Sequence, residues 1–387
     1  MSALPTPPSL ADDIHVAAAE ARAHVAAVDR DGRFPREALD LLRTSGALAA
    51  LVPRSLGGPE VPPADIAAAC YELARACPAT GMVFAMHQIQ VGCLVDQCAS
   101  APFFRRYLSE LVSRPALIAS ATSEVGVGGD LRRSICAVEP DGDGIRLEKA
   151  GPTLSYGAHA DDYLITARRS SAAGESDQVA VLVRRAQARL EQTSEWDALG
   201  MRGTCSPGFR IVATCPAEQV SAVPFADIAA RAMVPYSHLF WAHVWLGIAT
   251  DAYDRAAAFV RAQAKARPGV VPPVATRLSE LSTRLFALRG MIDSATAEFE
   301  RLRAAGGEGL GSYGYAVRIN NLKVAASEGV FDVCHRALGI CGMAGYKNDS
   351  PFSVGRHVRD ALSAALMIGN DRIHATDAAL LLATKSA

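Results

Sequence analysis

Two features of this 387-residue chain carry residue types that could do chemistry: a glycine turn and a set of histidines in apolar surroundings. The turn is Glu124-Val125-Gly126-Val127-Gly128-Gly129-Asp130, with three glycines inside four positions. Lacking Cβ atoms, such a turn brings backbone close to a planar or phosphorylated ligand. A plain flexible loop has the same composition. The turn has neither the strand-to-helix GxGxxG setting nor a P-loop pattern, so it supports neither a Rossmann site nor an ATPase. His87 is the sole titratable side chain before Asp96, the Cys93 thiol aside, in the apolar run GMVFAMHQIQVGCLVDQC. A histidine so placed is more often a hydrogen-bonded core residue than a catalyst. His238 and His243 miss the i,i+4 metal face, and His335 and His357 lack an acidic companion at ligand spacing, so no metal is expected. His374 and Asp377 can touch across one helical turn, with a surface hydrogen bond the plainer reading. No glycine-elbow serine or cysteine-centred dyad is present.

Half the residues are hydrophobic, with 31 Gly and 21 Pro, which fits a packed globular protein. A net charge of -1 leaves no electrostatic footprint for nucleic acid. The nine cysteines are scattered without a Cys-x-x-Cys pair, and read as reduced, mostly buried thiols of a cytoplasmic protein. Neither a signal-like leader nor a long apolar span stands out, so secretion and membrane insertion are not expected.

The elements that must position these residues follow from periodicity. Helical spacing covers residues 11–28. Pro35 heads a second helix through Leu42, and Pro62-Pro63-Ala64-Asp65 opens a third through Ala76. Pro78-Ala79-Thr80 leads into an almost wholly apolar helix that must be buried on nearly all sides, and Pro102 begins another. From about Pro115 to Pro224 the pattern turns to β. Ile135 to Leu147 alternates around Pro140-Asp141-Gly142-Asp143-Gly144, which reads as two strands and a tight turn; Val179, Val181 and Val183 alternate; Phe209, Ile211 and Val212 form a further run. Helical spacing returns over 229–264, with a break expected at Pro235, then over 275–304, 313–338 and 361–382, with a glycine-rich turn from Gly339 to Tyr346. The expected units are a helical domain at 1–115, a β domain at 116–225 and an antiparallel four-helix bundle at 226–387.

The segments FPREALDLLRTSGALAALVPRSLGG, ASATSEVGVGGD, LSYGAHADDYLITAR, EWDALGMRGTCS and GICGMAGYKNDSPFSVGRHVRD occur in that order. Together they resemble the acyl-CoA dehydrogenase superfamily over almost the full length. The resemblance implies a multidomain α and β fold: an N-terminal helical domain, a central β-barrel, a C-terminal four-helix bundle, and FAD held between subunits of a homodimer or homotetramer. It further implies that Ala121, Thr122 and Ser123 contact the flavin ring, that Gly128 and Gly129 form its glycine turn, and that Thr153, Leu154 and Ser155 flank the ring. Lys265 takes the place of a basic side chain directed at the pyrophosphate, and Gly339, Ile340 and Gly342 meet the cofactor from another subunit. Three positions depart from the pattern. Thr153 stands where many relatives carry tryptophan, Lys265 replaces an arginine and loses its bidentate fork, and Gly339 replaces a frequent glutamine.

The largest departure concerns the base. Many dehydrogenases of this family use a glutamate to take the α-proton while the β-hydride goes to the flavin. Counting forward from Arg359-Asp360 puts that position at Ile368, which cannot accept a proton. His238, near the position where other relatives carry the glutamate, and Asp371, just beyond Ile368, are the substitute candidates. The first reading is therefore an FAD-dependent oxidoreductase that dehydrogenates an acyl thioester on coenzyme A or a carrier protein and passes electrons to a protein acceptor or oxygen. The alternative is the flavin-dependent monooxygenase branch, whose members lack that carboxylate and receive flavin from a reductase; His87 and His374 would then serve the oxygen chemistry. Lyase or desulfination chemistry and a non-catalytic flavin-binding role stay open. Ala85, Met86, Gln90, Tyr236 and Trp241 are candidate substrate-pocket linings, although apolar periodicity alone marks packing.

Overall fold

Residues 9–128 and 130–383 are described by the computed structural model; Gly129 of the glycine turn lies outside them. Helix α1 (Leu10–Asp31) starts from a reciprocal cap, in which Ser9 Oγ accepts the Asp12 N–H at 3.3 Å and the Asp12 carboxylate accepts the Ser9 N–H at 3.0 Å. Four helices follow: α2 (Arg36–Thr44), α3 (Pro63–Ala76), α4 (Pro78–Cys93) and α5 (Pro102–Ser113). The last three carry proline in the first turn, where the missing N–H breaks no helical bond. Every residue of α4 except Met86 is buried, so its polar side chains must find partners inside the protein.

The β region contains β1 (Ile118–Ala121), β2 (Glu139–Asp141), β3 (Gly144–Gly151), β4 (Asp162–Arg168), β5 (Gln178–Arg184), β6 (Ala188–Gln192), β7 (Phe209–Pro216) and β8 (Val220–Pro224). They form two sheets, in the orders β1-β4-β5-β8 and β2-β3-β7-β6. The tight turn between β2 and β3 is present, with Asp141 paired to Gly144 and Gly142 at φ +58°. β3 and β7 alternate between buried and exposed, whereas β4 and β5 are buried almost throughout, so the alternation around Val179, Val181 and Val183 gives way to a strand covered on both faces.

The sheets do not close into the expected β-barrel. Each is open, and among the described residues an isolated bridge from Ala137 to Arg168 links them. The reason lies at the free edge of β1. The Ile118 N–H donates to His87 Nδ1 at 3.0 Å, and the Ile118 carbonyl accepts from the Tyr156 hydroxyl at 2.9 Å. Side chains thus satisfy both Ile118 groups at that edge.

In the C-terminal third, α6 (Phe225–Ile228) passes through a wide turn at 229–233 into α7 (Val234–Ala266). Pro235 falls in the first turn of α7 and does not interrupt it. Then come α8 (Ala275–Ala304), α9 (Tyr313–Cys341), α10 (Met343–Tyr346), α11 (Gly355–Leu362) and α12 (Asn370–Ala383). Two expectations change here. α9 runs on to Cys341, so Gly339 and Ile340 belong to its last turn and not to a loop. The stretch 361–382 is not one helix: a connector at 363–369 divides it, and Ile368 at φ +50° cannot continue a right-handed helix. No helix among the described residues is long and apolar enough to cross a membrane.

α7 is the central helix, packed against α3, α4, α8 and α9. Its approach to α3 depends on Gly247, where an added methyl would come within 2.5 Å of the Tyr71 carbonyl oxygen and 2.9 Å of the Arg75 nitrogen. Gly247→Ala should force the two backbones apart and destabilise the protein by about 1–3 kcal/mol, seen as a lower denaturant midpoint at unchanged m-value. An unchanged midpoint would show that the helices are not this close.

Candidate functional site

The end of β1 meets two other segments. Thr122 and Ser123 follow it, both half-buried, and their hydroxyls bond no group of the chain among the described residues. Segment 153–156 is fastened to segment 204–207, with the Leu154 N–H donating to Pro207 O at 2.9 Å and the Tyr156 N–H to Thr204 O at 2.8 Å. Ser206 Oγ donates to Ser155 Oγ at 2.9 Å and lies 2.9 Å from Thr204 Oγ1, which in turn donates to Met201 O at 2.9 Å. Three side-chain-bearing residues in these segments hold left-handed backbone: Tyr156 at φ +43°, Met201 at φ +51° and Cys205 at φ +44°. Each such residue costs about 1–2 kcal/mol, and strain of this kind persists where the surrounding structure enforces it, often at functional sites.

The glycine turn is anchored beside this junction. The Val125 N–H donates to Ala150 O at 2.9 Å. Glu124, buried, accepts from Ser134 Oγ at 2.7 Å, the Ile135 N–H at 3.1 Å and the Cys136 N–H at 2.5 Å. It also pairs with the buried Lys149 Nζ at 3.1 Å, which donates further to Thr166 O at 2.8 Å. Burial alone would raise the Glu124 pKa, but the Lys149 ammonium and these hydrogen bonds outweigh it and hold the carboxyl below its ordinary value. Burial holds Lys149 below the usual lysine range against the attraction of Glu124. Lys149 was legible in the alternation of β3, where it shares the inward phase with Ile145 and Leu147. Gly126 at φ +93° and Gly128 at φ +61° then let the turn close where a side chain would be strained.

The histidines divide by their partners. His87 accepts the Ile118 N–H at Nδ1, so its Nε2 carries hydrogen and donates to Leu48 O at 2.8 Å. Both nitrogens are occupied, and burial pushes its pKa down to about 4. His238 donates from Nδ1 to Ile319 O at 3.1 Å and keeps a buried, unpartnered lone pair at Nε2. Burial takes its pKa down to about 3, and an imidazole that weakly basic does not hold an abstracted proton at neutral pH. Asp371 and His374 lie on the exposed side of α12; Asp377 is buried and accepts from Asn320 at 2.6 Å.

Ile368 sits in the connector, and its carbonyl accepts from Lys323 Nζ at 2.8 Å. The same ammonium donates to Asn370 Oδ1 at 2.7 Å, and burial lowers its pKa to about 8. Sequence reading missed Lys323, although it interrupts an inward stripe of α9 formed by Ile319, Ala326 and Val330. Of the pocket candidates, Ala85 is buried, Met86 half-buried, and Gln90 donates to Met86 O at 3.1 Å with its Oε1 unpartnered. The Tyr236 hydroxyl is taken by Asp96 at 2.7 Å, and Trp241 Nε1 is buried without a partner.

Ser123 and Thr153 come together at Gly151, where an added methyl would meet the Ser123 carbonyl oxygen at 3.7 Å and the Thr153 carbonyl oxygen at 3.9 Å. Lys265 is exposed near the end of α7, and Gly342, at φ +56°, ends α9. Gly339 and Ile340 line a groove of about 300 Å³ with Arg277, Glu280, His335 and Arg336. The β1 junction fits the polar edge of a flavin ring: Thr122 and Ser123 offer unused hydroxyls, and Ser155, which accepts from Ser206, has its own hydrogen left to donate.

Residues 14–115 match the acyl-CoA dehydrogenase N-terminal domain and residues 230–380 the acyl-CoA dehydrogenase C-terminal domain. The chain belongs to the acyl-CoA dehydrogenase family and is a flavin-dependent oxidoreductase. It is 27% identical over 360 residues to the amino sugar nitrososynthase DnmZ of Streptomyces peucetius, covering 88% of this chain and 84% of that protein. It is also 27% identical over 359 residues to the probable acyl-CoA dehydrogenase FadE25 of Mycobacterium tuberculosis, covering 90% and 88%. Among solved structures it resembles TdsC of Paenibacillus sp. A11-2 in complex with FMN and indole, with a TM-score of 0.84 at 22% identity over 98% of each chain.

The buried histidines set an acid limit on stability. His87, His238 and His243 have pKa values lowered by burial to about 4, 3 and 4. Their folded values lie below the unfolded value of about 6.5, so this stability is present above pH ~6.5 and lost as pH falls towards the folded values. With His357, which burial likewise lowers to about 4, the unfolded chain takes up as many as four protons that these groups refuse in the folded chain, a slope of at most about 5.5 kcal/mol per pH unit. His87→Gln should remove about a quarter of that slope in denaturant midpoints measured between pH 7 and 5. An identical slope would show that His87 titrates normally.

Proposed function

We propose that the protein is a flavin-dependent monooxygenase supplied with reduced flavin by a separate reductase. The observation that carries this reading is the missing base. The expected position holds Ile368, His238 is too weakly basic, and Asp371 is exposed on α12. Asp377 lies nine residues further along the chain, roughly 13 Å at helical rise. Lys323 already holds the connector. Removal of an α-proton from a thioester therefore lacks an acceptor. The similarity to a nitrososynthase and the likeness to TdsC support the same branch.

Reduced flavin, when bound, supplies the two electrons that let one oxygen atom of O₂ enter the substrate while the other leaves as water. The chain's own residues position and exclude. Thr122, Ser123 and Ser155 would hold the ring edge, and the apolar body of α4 would keep water from the reacting face. Neutral His238 Nε2 would accept a hydrogen bond from a substrate O–H or N–H without taking the proton. FAD is supported by the groove at Gly339 and Ile340, whose Arg277 and Arg336 suit the phosphates of an adenylate half. Exposed Val271, Phe286 and Leu366 support a homodimer or homotetramer, and nine free thiols support a reducing, cytoplasmic setting.

The similarity to FadE25 keeps thioester dehydrogenation as the second reading. Anaerobic mixing of oxidised holoprotein with acyl-CoA separates the two. Monooxygenation predicts no loss of the flavin absorbance, and oxygen uptake coupled to substrate once reduced flavin is supplied. Bleaching by a thioester would overturn it, and the mass of the flavin released on denaturation separates FAD from FMN.

A further inference from the structure

We infer that Asp360 is a positioning residue: its carboxylate holds the loop 199–207, and through it segment 153–156, to the joint where α11 passes into the connector at 363–369. The inference rests on the proposed reading of the site, in which segment 153–156 meets the ring and the connector carries Ile368. At Gly200 the loop lies against the backbone of α11, where an added methyl would come within 2.2 Å of the Arg359 carbonyl oxygen and 2.7 Å of the Asp360 nitrogen. The next residue, Met201, is left-handed at φ +51°, and its N–H donates to Asp360 Oδ1 at 2.6 Å across 159 residues. From Met201 the bonds run on towards the site. Its carbonyl accepts from the Thr204 N–H at 3.0 Å, and the Thr204 carbonyl accepts from the Tyr156 N–H at 2.8 Å. In the other direction, the Asp360 carbonyl accepts from the Ser363 N–H at 3.2 Å and the Ser363 hydroxyl at 2.7 Å, where α11 ends. One residue thus fastens the loop by its side chain and the start of the connector by its backbone.

Packing does not account for a carboxylate at this point. Asp360 is 3% exposed, and burial pushes its pKa up to about 6 against the pull of Arg356, whose Nη1 is 3.6 Å from Asp360 Oδ2. The folded value lies above the unfolded value of about 3.9, so the ionised group lowers stability as pH rises from about 4 to 6. A leucine, with the same branching and no charge, would remove that penalty. It would also leave the buried Met201 N–H without an acceptor. The neighbouring Arg359 supports the same contact, donating to Leu199 O at 2.9 Å and to Asp29 Oδ1 of α1 at 2.9 Å. The loop is therefore held at three consecutive residues, and the contact at 201 is the one from which the bonds to segment 153–156 continue.

The test follows hydrogen–deuterium exchange segment by segment in the full-length wild type, Asp360→Leu and Asp360→Asn, and measures dissociation constants of FAD and FMN for the same proteins. Leucine removes the acceptor. Asparagine keeps one for the Met201 N–H, and Arg356 retains Asp251 at 3.9 Å as a counter-charge. Asp360→Leu should speed exchange at 201–207 and 154–156 by about 10–100-fold, the loss of one buried hydrogen bond to a charged group. It should weaken flavin binding by about 5–10-fold, because the binding-competent loop is less populated. Asp360→Asn should stay within about 3-fold of the wild type in both measurements. Faster exchange spread evenly over the chain, or equal losses in the two variants, would show a general loss of stability and overturn the inference. Unchanged exchange at 201–207 in the leucine variant would overturn it as well. Faster exchange confined to 201–207 and 154–156, with flavin affinity unchanged, would support the hold of Asp360 on the loop and overturn the placement of the ring. Should Asp360→Leu fail to fold, Gly200→Ala presses the same contact apart at the Arg359 carbonyl and should give the same local exchange; its absence would overturn the inference.

Discussion

Strand β1 has one edge paired to β4 and the other finished by side chains, and the rest of the site depends on that arrangement. His87 accepts from Ile118 at one nitrogen and donates to Leu48 at the other, so α4, the turn at 47–49 and β1 are held by a single ring. Only a neutral imidazole can do both. The burial that lowers its basicity is therefore a condition of its role, and it explains why a helix as apolar as α4 carries a histidine. Tyr156 adds to the edge from the other side, its hydroxyl donating to the Ile118 carbonyl at the start of β1.

Two buried lysines anchor the loops on either side of this junction by different means. Lys149 faces a carboxylate, Glu124, and the pair is completed by hydrogen bonds from Ser134, Ile135 and Cys136, so the glycine turn begins from a fully satisfied charge. Lys323 faces neutral groups, the Ile368 carbonyl and the Asn370 amide, with the Trp245 ring 5.9 Å away. Its ammonium stabilises the connector where Ile368 departs from helical geometry. One cation thus fixes the start of the glycine turn and the other fixes the connector that holds Ile368.

On the proposed monooxygenase reading, the chemistry left to the chain is hydrogen bonding and exclusion of water more than proton abstraction. Ser206 donates to Ser155, the Thr122 and Ser123 hydroxyls bond no group among the described residues, and burial lowers the basicity of His87 and His238. On that reading, the fold of the family carries a site without the family's acid–base step. Strain concentrated at Tyr156, Met201 and Cys205 marks the same junction.

Much of the scaffold was legible in the sequence because it depends on local spacing. The helix at 275–304, the turn at Gly142-Asp143 and the buried character of α4 follow from periods of 3.6 and 2 and from proline and glycine chemistry, and the ordered motifs identified the family. What the tertiary structure decided were pairings between distant positions. His87 bonds Ile118 across 31 residues, Lys149 bonds Glu124 across 25, and Lys323 bonds Ile368 across 45. No local pattern shows whether a buried histidine meets a backbone edge or a substrate, whether two sheets close, or whether a helix breaks at residue 363. Those outcomes are set by which polar groups lose access to water together and must satisfy one another.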